Sequence, residues 1–150
     1  MKSTPRALAR KITAAICIAV TLALGPSAVA SPPTPPPPSS TATWELSDYE
    51  QRACLRAGVP NWTYFVGFLS GSWDSPLVSS VDGLPAGTAV TLDTTIPPGD
   101  NGNRSVGNIW LFVDLPPLAH GDYHATLSVT DGTYTQTMPI LIRAQDSWGC

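Results

Sequence analysis

Residues 121–143 alternate with a period of two. Tyr123, Ala125, Leu127 and Val129 are interleaved with His124, Thr126, Ser128 and Thr130. Tyr134, Gln136, Met138, Ile140 and Ile142 are interleaved with Thr135, Thr137, Pro139, Leu141 and Arg143. Successive side chains of a strand point to opposite faces, so each run offers one face fit for a core. Asp131-Gly132 between them predicts a two-residue hairpin turn, because glycine accepts the positive φ that such turns require. A long hairpin with one apolar face must bury it against a second layer. Pro139 cannot donate to a ladder, which places the second strand at an edge or at a bulge there.

The remaining patterns supply further strands. Trp62–Leu69 is aromatic and β-branched and is closed by Ser70-Gly71. Thr88–Ile96 is closed by Pro97-Pro98-Gly99, and Val106–Leu115 by Pro116-Pro117. Short strands broken by Pro and Gly predict an all-β, antiparallel sandwich of about seven strands over residues 43–150. Residues 47–58 fit two readings. Ser47 and Glu50 could form a helical capping box with Gly58 as the stop, but the alternation of Tyr49, Gln51, Ala53 and Leu55 favours a strand across 51–57.

The N-terminus reads differently. Lys2, Arg6, Arg10 and Lys11 precede an apolar run, Ile12–Gly25, and Ala28-Val29-Ala30 follows. These are the three parts of a secretory signal, with cleavage expected between Ala30 and Ser31. The run is shorter than the ~20 apolar residues of a spanning helix. Cys17 lies behind Ile16, where lipid attachment would need a small residue. Residues 31–42, rich in proline, predict an extended tether.

Beyond residue 30 the chain has no lysine, and four arginines face eleven acids, a net charge of −7. Such a surface repels nucleic-acid phosphates and anionic lipid headgroups, so neither nucleic acid nor a membrane is an expected partner of the mature form. Loss of Cys17 with the signal leaves Cys54 and Cys150, an even number in an oxidising compartment, and they are expected to pair.

The stretch 115–132, LPPLAHGDYHATLSVTDG, resembles the penultimate strand of immunoglobulin-like sandwiches. The resemblance implies an immunoglobulin-like fold in which the Tyr123 hydroxyl bonds back to the backbone at a corner. Ala125 stands where that family carries its strand cysteine, so the usual inter-sheet disulfide is absent. A second resemblance rests on Trp44–Leu55, Gly83–Gly87, Ile96–Gly99 and Asp131–Thr133. These segments are similar to a family of uncharacterised secreted domains from high-GC Gram-positive bacteria. That resemblance implies an extracellular β domain and transfers no active site.

Chemical motifs are few. His120, Asp122 and His124 share one side of an extended strand, but metal sites usually need a third or fourth ligand and a supporting shell, and Asp122 is explained as a turn residue. Gly99–Asn103 lacks the terminal acid of a calcium loop. No G-x-S-x-G occurs. No catalytic residue, metal or cofactor is therefore assigned. The aromatics are the stronger lead. If Ile109, Leu111 and Val113 face the core, Trp110 and Phe112 face outward, where rings can stack on sugars or anchor a protein. Trp73, read as part of a turn, is a second candidate contact. The expected function is a monomeric, non-catalytic extracellular module that binds a carbohydrate or a protein. A small hydrolase using His120 or His124, or an envelope-associated domain without a small ligand, is the alternative.

Overall fold

The computed structural model describes residues 41–150. The expected signal peptide, its Ala30/Ser31 cleavage site and residues 31–40 of the tether lie outside the described residues. Among the described residues, nine strands follow in order: β1 (Trp44–Leu46), β2 (Gln51–Arg56), β3 (Asn61–Trp73), β4 (Leu77–Asp82), β5 (Ala89–Leu92), β6 (Thr95–Ile96), β7 (Gly99–Leu115), β8 (Gly121–Thr130) and β9 (Thr135–Gln145). They build two sheets, ordered β1-β3-β7-β5 and β2-β9-β8-β4-β6. Two of the nine, β1 and β6, have three and two residues and are too short to leave a periodic signal.

Alternation fills the space between the sheets. Ile109, Leu111 and Val113 of β7 meet Leu127 and Val129 of β8 and Met138, Ile140 and Ile142 of β9 in one core cluster, each 0–1% exposed. Full burial of a Leu, Ile, Val or Met side chain stabilises by roughly 1.5–3 kcal/mol, so this layer dominates the energetics. The β8–β9 ladder runs in one unbroken register from Gly121↔Ala144 to Thr130↔Thr135.

Three expectations change in the fold, and the one for Pro139 holds. The sandwich is not wholly antiparallel, because β2 pairs with β9 in parallel from Gln51↔Ile140 to Arg56↔Gln145. Pro139 sits one residue before that pairing begins, so its stretch of β9 is an edge while the following residues are flanked on both sides. The Thr88–Ile96 run divides, β5 joining β7 and β6 joining β4 in the other sheet. It breaks at Asp93-Thr94, where Ser79 takes over: its N–H donates to the Thr94 carbonyl at 3.1 Å and its hydroxyl to the Asp93 carbonyl. Finally, the hairpin connection spans residues 131–134, four and not two. The Asp131 carboxylate closes this wider turn, with Oδ1 accepting from the N–H groups of Thr133 (2.8 Å) and Tyr134 (2.7 Å).

Side chains join the layers where strands do not. The Trp44 indole N–H donates to Asp131 Oδ2 at 2.8 Å. The Gln136 carboxamide accepts from the Leu46 N–H (3.0 Å) and donates to the Trp44 carbonyl (2.9 Å), serving β1 as a substitute strand. Gln51 does the same for β3: it accepts from the Val66 N–H at 3.0 Å and donates to the Val66 carbonyl. The Tyr123 hydroxyl donates to the Ala119 carbonyl at 3.1 Å, the local corner bond expected of it.

Cys54 and Cys150 are bonded, with Cα atoms 5.1 Å apart. The bridge and the Gly149 N–H, which donates to the Cys54 carbonyl at 2.9 Å, pin the chain end onto β2. The closed loop spans 96 positions, for which loop-entropy arguments give stabilisation of roughly 4–5 kcal/mol, with measured values often lower. Cys54→Ser and Cys150→Ser should each destabilise by about 2–5 kcal/mol in urea unfolding, and the double variant should be no worse than the singles. Additive losses would show that the two side chains act separately.

The Trp44 hydrogen bond, followed by those of the Tyr134 and Thr133 N–H groups, holds the Asp131 carboxyl below the usual aspartate range. A lowered folded pKa means that the contribution is present above the unfolded value and is lost as pH falls through the folded one. Asp131→Ala should therefore lower the melting temperature at neutral pH. The gap to the wild type should close as pH drops below the unfolded aspartate value of about 3.9. A gap that is independent of pH would assign the loss to turn packing alone.

Candidate functional site

The residues that fill the core fix what the outer face of the four-stranded sheet displays. In β3, Phe65 and Leu69 are buried, so Trp62, Tyr64, Val66 and Phe68 take the opposite side. In β7, burial of Ile109, Leu111 and Val113 turns Trp110, Phe112 and Asp114 outward. Antiparallel pairing sets Tyr64 opposite Phe112, Val66 opposite Trp110 and Trp62 opposite Asp114. Four rings thus gather on adjacent strands, within reach of cross-strand contact. Trp62 is 56% exposed, Tyr64 49% and Trp110 41%, with Phe112 partly buried among them.

The rings touch as a group. Phe112 lies between the two tryptophans, its centroid 6.2 Å from Trp62 and 6.0 Å from Trp110, with interplanar angles of 18° and 14°. Tyr64 contacts all three, 5.6 Å from Trp110, 6.1 Å from Trp62 and 6.2 Å from Phe112, so the four rings form a compact cluster. Such pairs are worth about 0.5–1.5 kcal/mol beyond burial and orient the rings toward one another.

Beside the rings opens a broad groove of about 690 Å³, bordered by Tyr64, Trp110 and Phe68 on one side and Tyr49, Glu50 and Arg52 on the other. This volume lies within the roughly 300–1,000 Å³ of small-molecule sites. Gln51 fixes the two walls by its pair of hydrogen bonds to the Val66 backbone. Glu50 and Arg52 form an exposed ion pair at 2.7 Å. Gly107 lies on the groove wall, where a Cβ would come within 2.8 Å of Val66 Cγ1. The Asp93 carboxylate accepts from the Trp110 N–H at 3.4 Å.

Trp110 and Phe112 stand where alternation puts them. Trp73 does not. It ends β3, is only 4% exposed, and its indole donates to the Pro97 carbonyl at 2.7 Å. Its ring packs so closely over Gly99 that a Cβ there would approach to 2.8 Å. The Gly71-Ser72-Trp73-Asp74 turn is thus the bulged end of a strand, and Trp73 belongs to the core. Trp62 and Tyr64 join the site without having been singled out by sequence, although the alternation of Phe65 and Leu69 carries the signal. The groove residues Tyr49, Glu50 and Arg52 had no such signal, because the crossing of β2 over the β3 edge is a long-range event.

The histidine strand forms no centre. His120 Nε2 lies 2.8 Å from Asp146 on open surface. Arg143 grips both oxygens of Asp122 at 2.7 Å, and chiefly through that hydrogen bond holds its carboxyl below the usual range. Among the described residues, no three His, Cys, Asp or Glu side chains come together as a metal site would require.

Trp62→Ala and Trp110→Ala should each cost no more than about 1.5 kcal/mol of stability, the scale of the ring–ring attraction that they remove. Trp73→Ala should cost about 3–5 kcal/mol, as core tryptophans do. Urea unfolding of the three variants checks this, and a core-sized loss at Trp110 would remove it from the exposed face.

A family model described as a family of unknown function (DUF5980) matches residues 45–147, and the chain belongs to that family. No curated protein matches the sequence. Among solved structures, one similar chain is a Bacteroides fragilis protein provisionally described as an α-galactosidase, at 19% identity and a TM-score of 0.40. Another is a family 123 glycoside hydrolase from Clostridium perfringens, at 9% identity and a TM-score of 0.39. The alignments cover 70% and 66% of this chain but only 18% and 23% of those chains. At such scores they carry no argument about function.

Proposed function

We propose that this family member is an exported, non-catalytic binding module whose ligand is held on the ring face of β3 and β7. One observation carries the reading: Trp62, Tyr64, Trp110 and Phe112 are displayed together on the side of the sheet that the core does not use. Water-exposed aromatic surface is costly to maintain, and contiguous patches of it mark interaction sites. Among the described residues, no charged centre competes for the role. The acids are spread over strands and loops, and the His120–Asp146 pair stands on open surface away from any enclosed pocket.

Export is supported by the basic, apolar and Ala-x-Ala segments of residues 1–30 and by a bonded cysteine pair, which persists in oxidising compartments. A high-GC Gram-positive source fits the family likeness of 43–150. An immunoglobulin-like arrangement is supported by strand order. In chain order, β1, β3, β7 and β5 occupy the places of strands A, B, E and D, and β9, β8 and β4 those of G, F and C. On this reading β2 and β6 are additional edge strands, and Tyr123 forms the corner at the start of the F strand.

The full chain should be recovered from the culture medium with an intact mass that begins at Ser31; a secreted chain that keeps Met1 would defeat the cleavage site. Screened against glycan and extracellular-protein panels, it should bind in a manner lost in the Trp62→Ala/Trp110→Ala double variant. Binding that survives both substitutions sinks the ring face as the site. Turnover of ester or glycoside substrates that His120→Ala or His124→Ala abolishes would establish the hydrolase alternative instead.

A further inference from the structure

We infer that the open edge of β3 at Trp62 and Tyr64 takes an extended, basic peptide segment of a partner protein, added as a further strand beside the ring face. This deepens the binding-face reading above and rests on it.

Backbone direction selects the occupant. In an antiparallel ladder, opposed residues alternate between pairs that exchange N–H···O=C bonds and pairs that turn those groups away. Val66, opposite Trp110, turns its N–H and C=O to the Gln51 carboxamide. Trp110 likewise turns its own toward Asp93. The pairing runs on without a register shift to Tyr64↔Phe112 and Trp62↔Asp114, so Tyr64 and Trp62 also direct their N–H and C=O groups away from β7. The rest of this edge is occupied. β1 pairs with Leu69–Gly71, Ser47 donates to the Phe68 carbonyl at 3.0 Å, and Gln51 covers Val66. Among the described residues, nothing bonds to the outward groups of Trp62 and Tyr64.

Those groups repeat as donor and acceptor every roughly 6.8 Å, two residues of a strand. A second extended backbone carries the matching set, and addition of a peptide strand to a sheet edge is a recurring mode of recognition. The open stretch is short. Gln51 closes one end at Val66, and at the other Asn61 Nδ2 donates to the Arg56 and Val59 carbonyls at 2.9 and 2.8 Å. It fits a segment of a few residues, and a proline-rich one would lack the N–H groups required.

Charge sets the sign of the partner. Glu45, Asp48 and Glu50 are exposed on the chain that passes from β1 to β2 along this edge, and Asp114 is exposed opposite Trp62. Against them stand Arg52, already paired with Glu50 at 2.7 Å, and Arg56. The half-exposed Trp62 and Tyr64 rings offer negative faces to the same cations, guanidinium above all. A second copy is the poorer occupant, because beyond residue 30 it brings the same −7 charge.

The test begins with amide hydrogen exchange of the full chain, read by NMR. The Trp62 and Tyr64 amides should exchange at least about tenfold faster than those of Thr63 and Phe65, which bond to β7. Equal protection along 62–65 overturns the open edge. A random heptapeptide library displayed on phage is then selected on the immobilised chain. Enriched peptides should carry Arg or Lys and lack internal proline. The tightest, made synthetically, should protect Trp62 and Tyr64 from exchange. N-methylation of its alternate amides, the set facing β3, should weaken binding about tenfold, and methylation of the intervening set should not. Tyr64→Pro deletes an edge N–H that β7 does not use, so it should weaken binding well beyond Tyr64→Ala, which keeps that group. If the proline variant does not fold, exchange and N-methylation decide. Enrichment of proline-rich or acidic peptides, or affinity indifferent to N-methylation, overturns strand addition; if such binding still needs Trp62 and Trp110, the ring face stands. Protection that rises with protein concentration alone assigns the edge to a second copy and overturns the peptide. Selection of no peptide also overturns it. Ring-dependent binding in the glycan or protein panels would then leave the binding face intact, and its absence there removes that as well.

Discussion

Period-two alternation in β3 and β7 is the constraint on which the rest of this molecule depends. These two strands share the longest antiparallel pairing in the four-stranded sheet. Each sends every second residue inward, and the inward set of β7, Ile109, Leu111 and Val113, is wholly buried. A one-residue slip would exchange the faces, placing Trp110 and Phe112 in the core and aliphatic side chains in water. Core packing therefore holds the ring face in place, and the display of the rings needs no separate device.

The two sheets are not left to pack through apolar contact alone. Gln136 and Gln51 each offer a carboxamide to the backbone of the opposite sheet, one along β1 and one at Val66 of β3. A primary amide has a donor and an acceptor at a spacing that mimics a peptide group, so it can satisfy a strand edge that lacks a neighbour. This spares buried backbone groups the cost of desolvation and blunts two edges open to aggregation. The Gln51 bond has a functional consequence too. It ties β2 to β3 at the place where Glu50 and Arg52 become one wall of the groove and Tyr64 the other.

Much of this was legible in residue order. The alternation of 121–143 identified the hairpin and its buried face, and that of 106–115 set Trp110 and Phe112 on the face opposite Ile109, Leu111 and Val113, whose burial makes the ring side the outer one. The strand reading of 51–57 also holds, as β2. Other features were hidden by glycine. Ser70-Gly71 reads as the end of a strand, yet β3 runs on to Trp73. Gly71 adopts a φ of +80° within a bulge and lies against the Thr43 backbone, where a Cβ would fall 2.2 Å from the carbonyl oxygen. The continued strand carries Trp73 into the core. Asp131-Gly132 looked like a tight turn because Gly132 has the expected positive φ. The connection is wider, with Asp131 Oδ1 bonded to the Thr133 and Tyr134 N–H groups while Oδ2 takes a distant partner, the Trp44 indole.

The sequence by itself determined the β class, the strand faces and the cysteine pair available for bonding. Periodicity and composition are local or countable properties that each segment carries unaided. Only the tertiary structure decided which edges meet: the parallel β2–β9 pairing, the division of 88–96 between two sheets, and the burial of Trp73. It also decided that Trp62 and Tyr64 stand beside Trp110 and Phe112, and that Tyr49, Glu50 and Arg52 face them across a groove. Those outcomes depend on contacts between residues tens of positions apart. Their free energy comes from the combined fit of two sheets, and no single segment encodes it.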